Sequence, residues 1–552
     1  MKTELEALIS EAVKELFNVE VSIELTRPEE QFGDYATNVA LQLSKQVGKS
    51  PREIGEQLAE KLRNDLSNHV SEVTVAGPGF LNLKLTVRSL LKLAQTEPKR
   101  TLEGQTVVAE YSDPNPFKVL HAGHLYTSIV GDSIANLLEL AGANVHRVNF
   151  GGDVGLHVGK TMWVILNRLG GENLEGLNQI ENKSEWLASA YVEGTNAYED
   201  NEDAKQAIVD LNKRVYQLHT DNDHESAFAQ IYWTTRQWSY DYFNEFYARI
   251  GSTFEKYYPE SETAPIGLQT VREHTPDVYE ESDGAIVFDG EKHGLHTRVF
   301  INSEGIPTYE AKDVGLIILK KQDYNFDRSV VITGNEQAQY MQVVLKSIEQ
   351  FAPELTKATT HLTHGLVKLQ SGEKMSSRKG NILRAVDVLD AAGEANKELN
   401  DQENEDTVLG AVKYSFLKNR MGGDTIYDPK ESVSLEGNSG PYLQYAHARA
   451  RSILSKSNVQ AELSEDLEDG ERSLLRKIAE FSEVIDKSIA EMMPHSICTY
   501  IYELSQSFNF FYEHNRVIDD PREGIRVALI TSYADRLRQG LTLLGIASPD
   551  KM

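Results

Sequence analysis

The stretch "QTVVAEYSDPNPFKVLHAGHLYTSIVGD", residues 105–132, decides the architecture. Its first part is a short apolar run bounded by Pro114-Asn115-Pro116, as expected of a buried strand that ends in a tight turn. Its second part reads as a helix that starts near His121. Downstream, "ANVHRVNF" reads as the next strand and enters the glycine turn "GGDVG" at 151–155. Strand, turn, helix, strand is the βαβ order of a doubly wound parallel sheet. The alternation runs to about residue 408, interrupted from about 165 to 260 by a helical, aromatic segment ("IYWTTRQWSYDYFNEFYARI") that reads as an insertion.

On either side of this α/β region the pattern changes. Residues 1 to about 100 read as a small α+β unit with three helices, a polar turn at "RPEEQFGDYA", and a hairpin, "EVTVAGPGFLNLKL", that turns at Gly-Pro-Gly. Beyond 409 strand signals fade. Leu474, Leu475, Ile478, Phe481, Ile485 and Ile489 keep helical spacing as far as Pro494, and "DDPREGIRVALI" offers an Asp cap with Pro521 at the first helical position. A helix bundle over 409–552 is expected.

With 552 residues, several domains are expected rather than one core. No stretch approaches the ~18 apolar residues of a membrane span, and the acidic amphipathic start does not suit a targeting peptide, so a cytoplasmic protein is expected. The single cysteine, Cys498, excludes an internal disulfide and disfavours a thiolate zinc site. The net charge of −28 gives no general support for nucleic-acid binding. Much of that acid lies in short runs such as "NDQENED", however, so binding has to be judged locally.

His121 and His124 in "HAGH" sit three apart at a helix start, on one face, where free N–H groups and the helix dipole suit a phosphate. Gly123 between them leaves the backbone bare for a nucleotide to approach. A metal pair would need further ligands, and no His-Glu-x-x-His or Cys-x-x-Cys partner exists, so no metal site is assigned. Two ordinary surface histidines are the plain alternative. Some 250 residues later, "LVKLQSGEKMSSRKGN" places Lys374, Arg378 and Lys379 beside Met375, Ser376 and Ser377 in a loop suited to a polyphosphate, or merely to water.

HAGH and KMSSRKG in this order resemble the paired HIGH and KMSKS signatures of class I aminoacyl-tRNA synthetases. "EYSDPNPFKVLHAGHL", "NFGGDVGLHVGK", "VFDGEKHGLHTRVFINSEGIPTYEAKDVGL", "SGEKMSSRKGN" and "GPYLQYAHARARSIL" narrow the resemblance to the arginyl-tRNA synthetase family. "FGDYATNVALQLSK" is similar to that family's additional N-terminal domain, and "YADRLRQGLTLLGI" to the end of its anticodon-binding bundle. The resemblance implies a multidomain α/β fold: a small α+β domain over 1–100, a Rossmann-like catalytic domain over 101–408, and an all-α anticodon-binding domain over 409–552. It also implies ATP-dependent formation of arginyl-adenylate and transfer to the 3′ end of tRNA(Arg), with Mg²⁺ accompanying ATP and a monomeric protein.

By the same resemblance His121, His124, Lys118 and Lys374 are the catalytic residues. Gly123, Gly152, Asp153 and the loop residues Met375, Ser376, Ser377, Arg378 and Lys379 are assigned to ATP. Asp313 with Tyr309 is assigned to the guanidinium, Glu110 and Asn115 to the amino-acid end, and Gln337 nearby. Ser377 departs from the family, standing where KMSKS has its second lysine; Lys118 is expected to take over that charge, with Arg378 or Lys379 as the alternatives. The four letters that name the anticodon bundle are also absent around Ala534 to Arg538. In the bundle, Arg449, Arg451 and a set of aromatics are expected to meet tRNA, without a single contact assigned. An HxGH nucleotidylyltransferase and a non-catalytic synthetase relative remain as alternatives.

Overall fold

The computed structural model describes residues 1–369, 383–401 and 403–552. At its centre is a five-stranded parallel sheet. Its spatial order is Thr359–His364, Arg328–Gly334, Thr106–Glu110, Asn144–Gly151, Lys256–Pro259. Val107, Val108 and Ala109 are all fully buried because both faces of the sheet are covered. Successive side chains alternate between those faces: Val107 and Ala109 join the core shared with the helix Ala122–Leu140, and Val108 joins the core under the helix Tyr309–Tyr324. Glu110, two residues after Val108, follows it to that second face.

The first strand in sequence has the second on one side and the fourth on the other, so strand order reverses between Thr106–Glu110 and Arg328–Gly334. Ligands of doubly wound sheets bind outside the carboxyl ends of the strands at such a reversal. The whole connection from the second strand to the third is the insertion. It contains the helices Leu156–Leu169, Lys183–Asp200, Glu202–Thr220 and Ala227–Ile250, packed round their own core of Val158, Ile165, Phe228 and Trp238.

The N-terminal unit folds as a three-stranded antiparallel sheet under three helices, with the hairpin Val70–Ala76/Phe80–Leu85 turning at Gly77-Pro78-Gly79. The third strand, Tyr35–Thr37, falls in the stretch expected to be only a turn; three residues are too few to show a period. Asp34 beside it is fully buried and meets Arg472 at 2.6 Å and Arg476 at 3.3 Å, fastening this unit to the helical C-terminal domain.

That domain holds the helices Gly440–Leu454, Asp469–Ile478, Phe481–Glu491, His495–His514 and Glu523–Leu543. The apolar run from Leu474 to Ile489 is therefore two helices. The buried Tyr500 hydroxyl donates to the carbonyls of Lys477 and Ile478, where a continuous helix would need them. The last helix starts two residues after Pro521, because Asp520 accepts from Arg522 N–H in a turn that precedes it. One strand, Thr425–Tyr427, lies past residue 409, parallel to Val367–Leu369. Among the described residues no helix is long and apolar enough to cross a membrane.

Candidate active site

The turn 111–116 carries the chain from the carboxyl end of the first strand to the signature helix, Ala122–Leu140. Ser112, Asp113 and Phe117 adopt positive φ of 76°, 48° and 67°. Such backbone is costly for residues with side chains and persists where surrounding contacts enforce it. Gly151 supplies one reason: a Cβ there would lie 2.2 Å from the Pro114 carbonyl oxygen, so only glycine admits the turn. Gly152 N–H then donates to Asn115 Oδ1 at 2.7 Å.

His121 caps the signature helix. Its Nδ1 accepts from Gly123 N–H at 3.1 Å, and His124 Nδ1 accepts from His121 N–H at 3.1 Å. The rings stack with centroids 3.8 Å apart. A nitrogen that accepts carries no proton, so both rings hold theirs on Nε2 and keep that N–H as a donor. Burial lowers His121 to about 4, helped by the nearby charge of Lys118, and lowers His124 well below its usual value. Both are neutral donors at physiological pH. Gly123 serves this geometry directly, since a Cβ would stand 2.8 Å from the His121 ring. The bare backbone expected to admit a nucleotide is required first by the histidine.

Lys118 is lowered by burial, with Glu260 opposing the shift, and lies 5.1 Å from the Tyr191 ring of the insertion. The segment after the lysine-rich stretch is bonded to the start of the signature helix. Ala122 N–H donates to the Leu383 carbonyl and Ala385 N–H to the Leu120 carbonyl, each at 2.9 Å. Before it, His364 Nε2 meets Thr127 Oγ1 at 2.6 Å, two hydrogen-bonded turns into that helix. Lys374, Met375, Ser376, Ser377, Arg378 and Lys379 themselves lie outside the described residues.

A cavity of about 380 Å³ opens at the strand-order reversal. It brings together Glu110, Asn115, Gly152, Tyr309, Asp313 and Gln337, six residues separated by up to 227 positions in sequence and all expected near substrate. It does not include Asp153. That carboxylate is fully buried, holding Arg236 at 3.0 Å and accepting from Ser261 N–H at 2.9 Å, so the expected nucleotide contact is replaced by a clamp between glycine turn and insertion. Asp313 stands in the second turn of Tyr309–Tyr324, whose cap position is Thr308.

The cavity is acidic, and its acids are not equivalent. Glu110 is ion-paired with Lys320, which is fully buried. Glu260, at the carboxyl end of the third strand, pairs with Lys312 at 2.5 Å while its other oxygen faces Gly152. Arg298 pairs with Glu310 at 3.1 Å. Asp313 has no ion pair among the described residues; it accepts from the Tyr340 hydroxyl. Burial pushes Asp313 up to about 8, against the Tyr340 hydrogen bond and with Glu110 and Glu260 adding to the rise. Sequence reading did not find Asp113, Glu260, Arg298 or Tyr340, which also line the cavity. Glu260 had a signal, because it ends a strand of the parallel sheet, where ligands bind. A buried carboxyl of this kind is one that a cationic ligand would ionise.

A helix N-terminus with two neutral imidazole donors, joined to an acidic cavity at the reversal of a parallel sheet, matches the site of a class I aminoacyl-tRNA synthetase. The family model described as "tRNA synthetases class I (R), catalytic domain" covers residues 86–427. "Arginyl tRNA synthetase N terminal domain" covers 3–85 and "DALR anticodon binding domain" covers 443–552. The chain belongs to the arginyl-tRNA synthetase family. It is 30% identical over 599 residues to an arginine--tRNA ligase of Porphyromonas gingivalis, covering 99% of each. It is 30% identical over 578 residues to that of Clostridium perfringens, again covering 99% of each. The arginyl-tRNA synthetase structure from Thermus thermophilus shares the fold at a TM-score of 0.80 and 24% identity, covering 100% of both chains. The chain is thus an arginine--tRNA ligase, with ATP, arginine and tRNA as its substrates.

Proposed function

We propose that this cleft aligns the carboxylate of L-arginine with the α-phosphorus of ATP, and that its residues divide the work by charge. In the first step a carboxylate oxygen of arginine attacks the α-phosphorus and pyrophosphate leaves. In the second a terminal ribose hydroxyl of tRNA(Arg) attacks the acyl carbon and AMP leaves. Neither step forms a bond to the enzyme, so alignment and charge stabilisation supply the rate. The Nε2–H groups of His121 and His124 hold the phosphates as charge moves onto the leaving group, with the helix N-terminus behind them. Lys118 supplies a full positive charge there, which the neutral histidines do not. Lys374, with Met375 to Lys379, is proposed for the pyrophosphate, and Mg²⁺ enters on the nucleotide.

Asp313 and Tyr309 receive the guanidinium, whose flat pair of donors fits a carboxylate. Glu260, already paired with Lys312, borders them without taking the charge. Asn115, its carbonyl occupied by Gly152, has its amide N–H₂ left for the substrate carboxylate. Glu110 and Gln337 border the amino-acid end. The observation that carries this reading is Asp313: a buried carboxyl with no ion pair among the described residues, lining the cavity next to the proposed phosphate-binding helix. A cytoplasmic monomer is proposed.

Exchange of labelled pyrophosphate into ATP, measured with each amino acid and with or without tRNA, tests the reading. Exchange stimulated by arginine alone is expected. Exchange that needs no amino acid would point to a nucleotidylyltransferase, and none under any condition to a non-catalytic relative.

A further inference from the structure

Three lysines stand around the cleft, and their surroundings differ. Lys320 is ion-paired with Glu110, and Lys312 with Glu260. Lys118 makes no ion pair among the described residues, although lysines are rarely buried without a partner. Its charge is close enough to His121 and His124 to add to the lowering that burial causes in both. What stands beside its ammonium is an uncharged ring, that of Tyr191, with Nζ 5.1 Å from the centroid. That distance suits the attraction of a cation to the negative face of an aromatic ring.

The insertion fixes both members of this contact. Phe117, the residue before Lys118, is fully buried in the insertion core beside Val158, Ile165 and Trp238. Its ring lies 5.7 Å from that of Tyr232, and its N–H donates to Ser239 Oγ at 2.9 Å. Both partners belong to the insertion helix Ala227–Ile250. The backbone of Lys118 is thus anchored on one side by the insertion and on the other by its own N–H bond to the Asn115 carbonyl. Tyr191 is placed by the helix Lys183–Asp200. One turn after it, Gly194 lets this helix press against Leu156–Leu169, where a Cβ would lie 2.2 Å from the Lys160 carbonyl oxygen. The same helix reaches the segment next to the signature helix through Glu185, 3.7 Å from Arg384.

An ion pair would hold Lys118 equally well, but it would cancel the charge that a phosphate needs. A ring face attracts the ammonium and carries no net charge. It also restricts a long side chain whose freedom would otherwise be lost on meeting the nucleotide. We propose that Tyr191 of the insertion is a positioning residue for Lys118: its ring holds the ammonium on the phosphate side of the cleft before ATP binds and leaves its charge undiminished. This rests on the phosphate reading of Lys118 given above.

The test is a cycle of Lys118→Met, Tyr191→Leu and the double variant, read by pyrophosphate exchange of the full chain at saturating arginine. Tyr191→Leu alone is expected to lower kcat about tenfold, and Lys118→Met alone about a hundredfold. Once Lys118 is absent, Tyr191→Leu is expected to cost less than about twofold more. A loss of about tenfold in both backgrounds would overturn the proposal, because the ring would then act without the lysine. Tyr191→Phe keeps the ring face and is expected to restore exchange to within about twofold of the wild type. A ring-fluorinated phenylalanine placed at position 191 keeps the shape but draws electron density from the face, and about a fivefold loss relative to Tyr191→Phe is expected. Equal exchange by these two would refute the role of the ring face, even where Tyr191→Leu does not fold. Wild-type exchange in Lys118→Met would instead remove the phosphate role of Lys118 itself, a failure that this single variant reads separately.

Discussion

The two halves of the cleft show one force with opposite consequences. On the phosphate side, burial strips His121 and His124 of charge and leaves neutral N–H donors aimed at an anion. On the amino-acid side, burial raises the Asp113 carboxyl above its usual range and pushes Asp313 up to about 8, so that Asp313 stays protonated until a cation arrives. The first half binds without changing protonation; the second binds by changing it. A site for a substrate with two positive groups can thus stay nearly neutral when empty, which lowers the cost of holding several carboxyls together in a buried space.

The contrast can be broken most severely from the acidic side. Lys320→Met leaves Glu110 buried without its partner, and a loss of about 3–5 kcal/mol of folding stability is expected, read by denaturant unfolding. Asp313→Asn is expected to lower kcat/KM for arginine about a thousandfold, equivalent to about 4 kcal/mol. Its KM for ATP is expected to stay near the wild-type value. On the phosphate side, His124→Asn is expected to reduce kcat of pyrophosphate exchange about a hundredfold, or about 3 kcal/mol, with arginine KM little changed. Gly123→Ala tilts the His121 ring rather than removing it, and about a tenfold loss is expected in the same assay. Equal effects of the Asp313 and His124 substitutions on both substrates would erase the distinction between the two halves.

How far the sequence revealed this site depends on distance along the chain. The strand, turn and helix of residues 105–140 are local, and their pattern was readable because each element keeps its own period. The cavity is not local. Asp113 lies three residues from Glu110 on an irregular turn, and nothing in "EYSDPN" distinguishes the acid that a lysine will neutralise from the one with no ion pair among the described residues. That distinction belongs to Lys320, which stands two helical turns beyond Asp313 on an otherwise apolar face. A lysine in such a stripe is a usable signal, since lysines are rarely buried unless paired. Arg298 and Tyr340 gave none, because a short strand and a later helix bring them in only after folding. Asp153 misled for a related reason: the glycine turn that carries it does border the cleft, but its side chain is taken by Arg236 from the insertion.

The pH dependence of the two Michaelis constants tests the division between the halves most directly. The guanidinium requires Asp313 ionised, and the empty site holds it protonated below about 8. Arginine must then displace a proton at lower pH, so its KM in tRNA charging is expected to fall about tenfold or more per unit from pH 6.5 to 8, then level off. KM for ATP is expected to stay flat or rise slightly over the same range, because the histidines are already neutral and only Lys118 has charge to lose. An arginine KM that is flat, or that rises with pH while the ATP constant falls, would contradict the assignment of cation to one half and phosphate to the other.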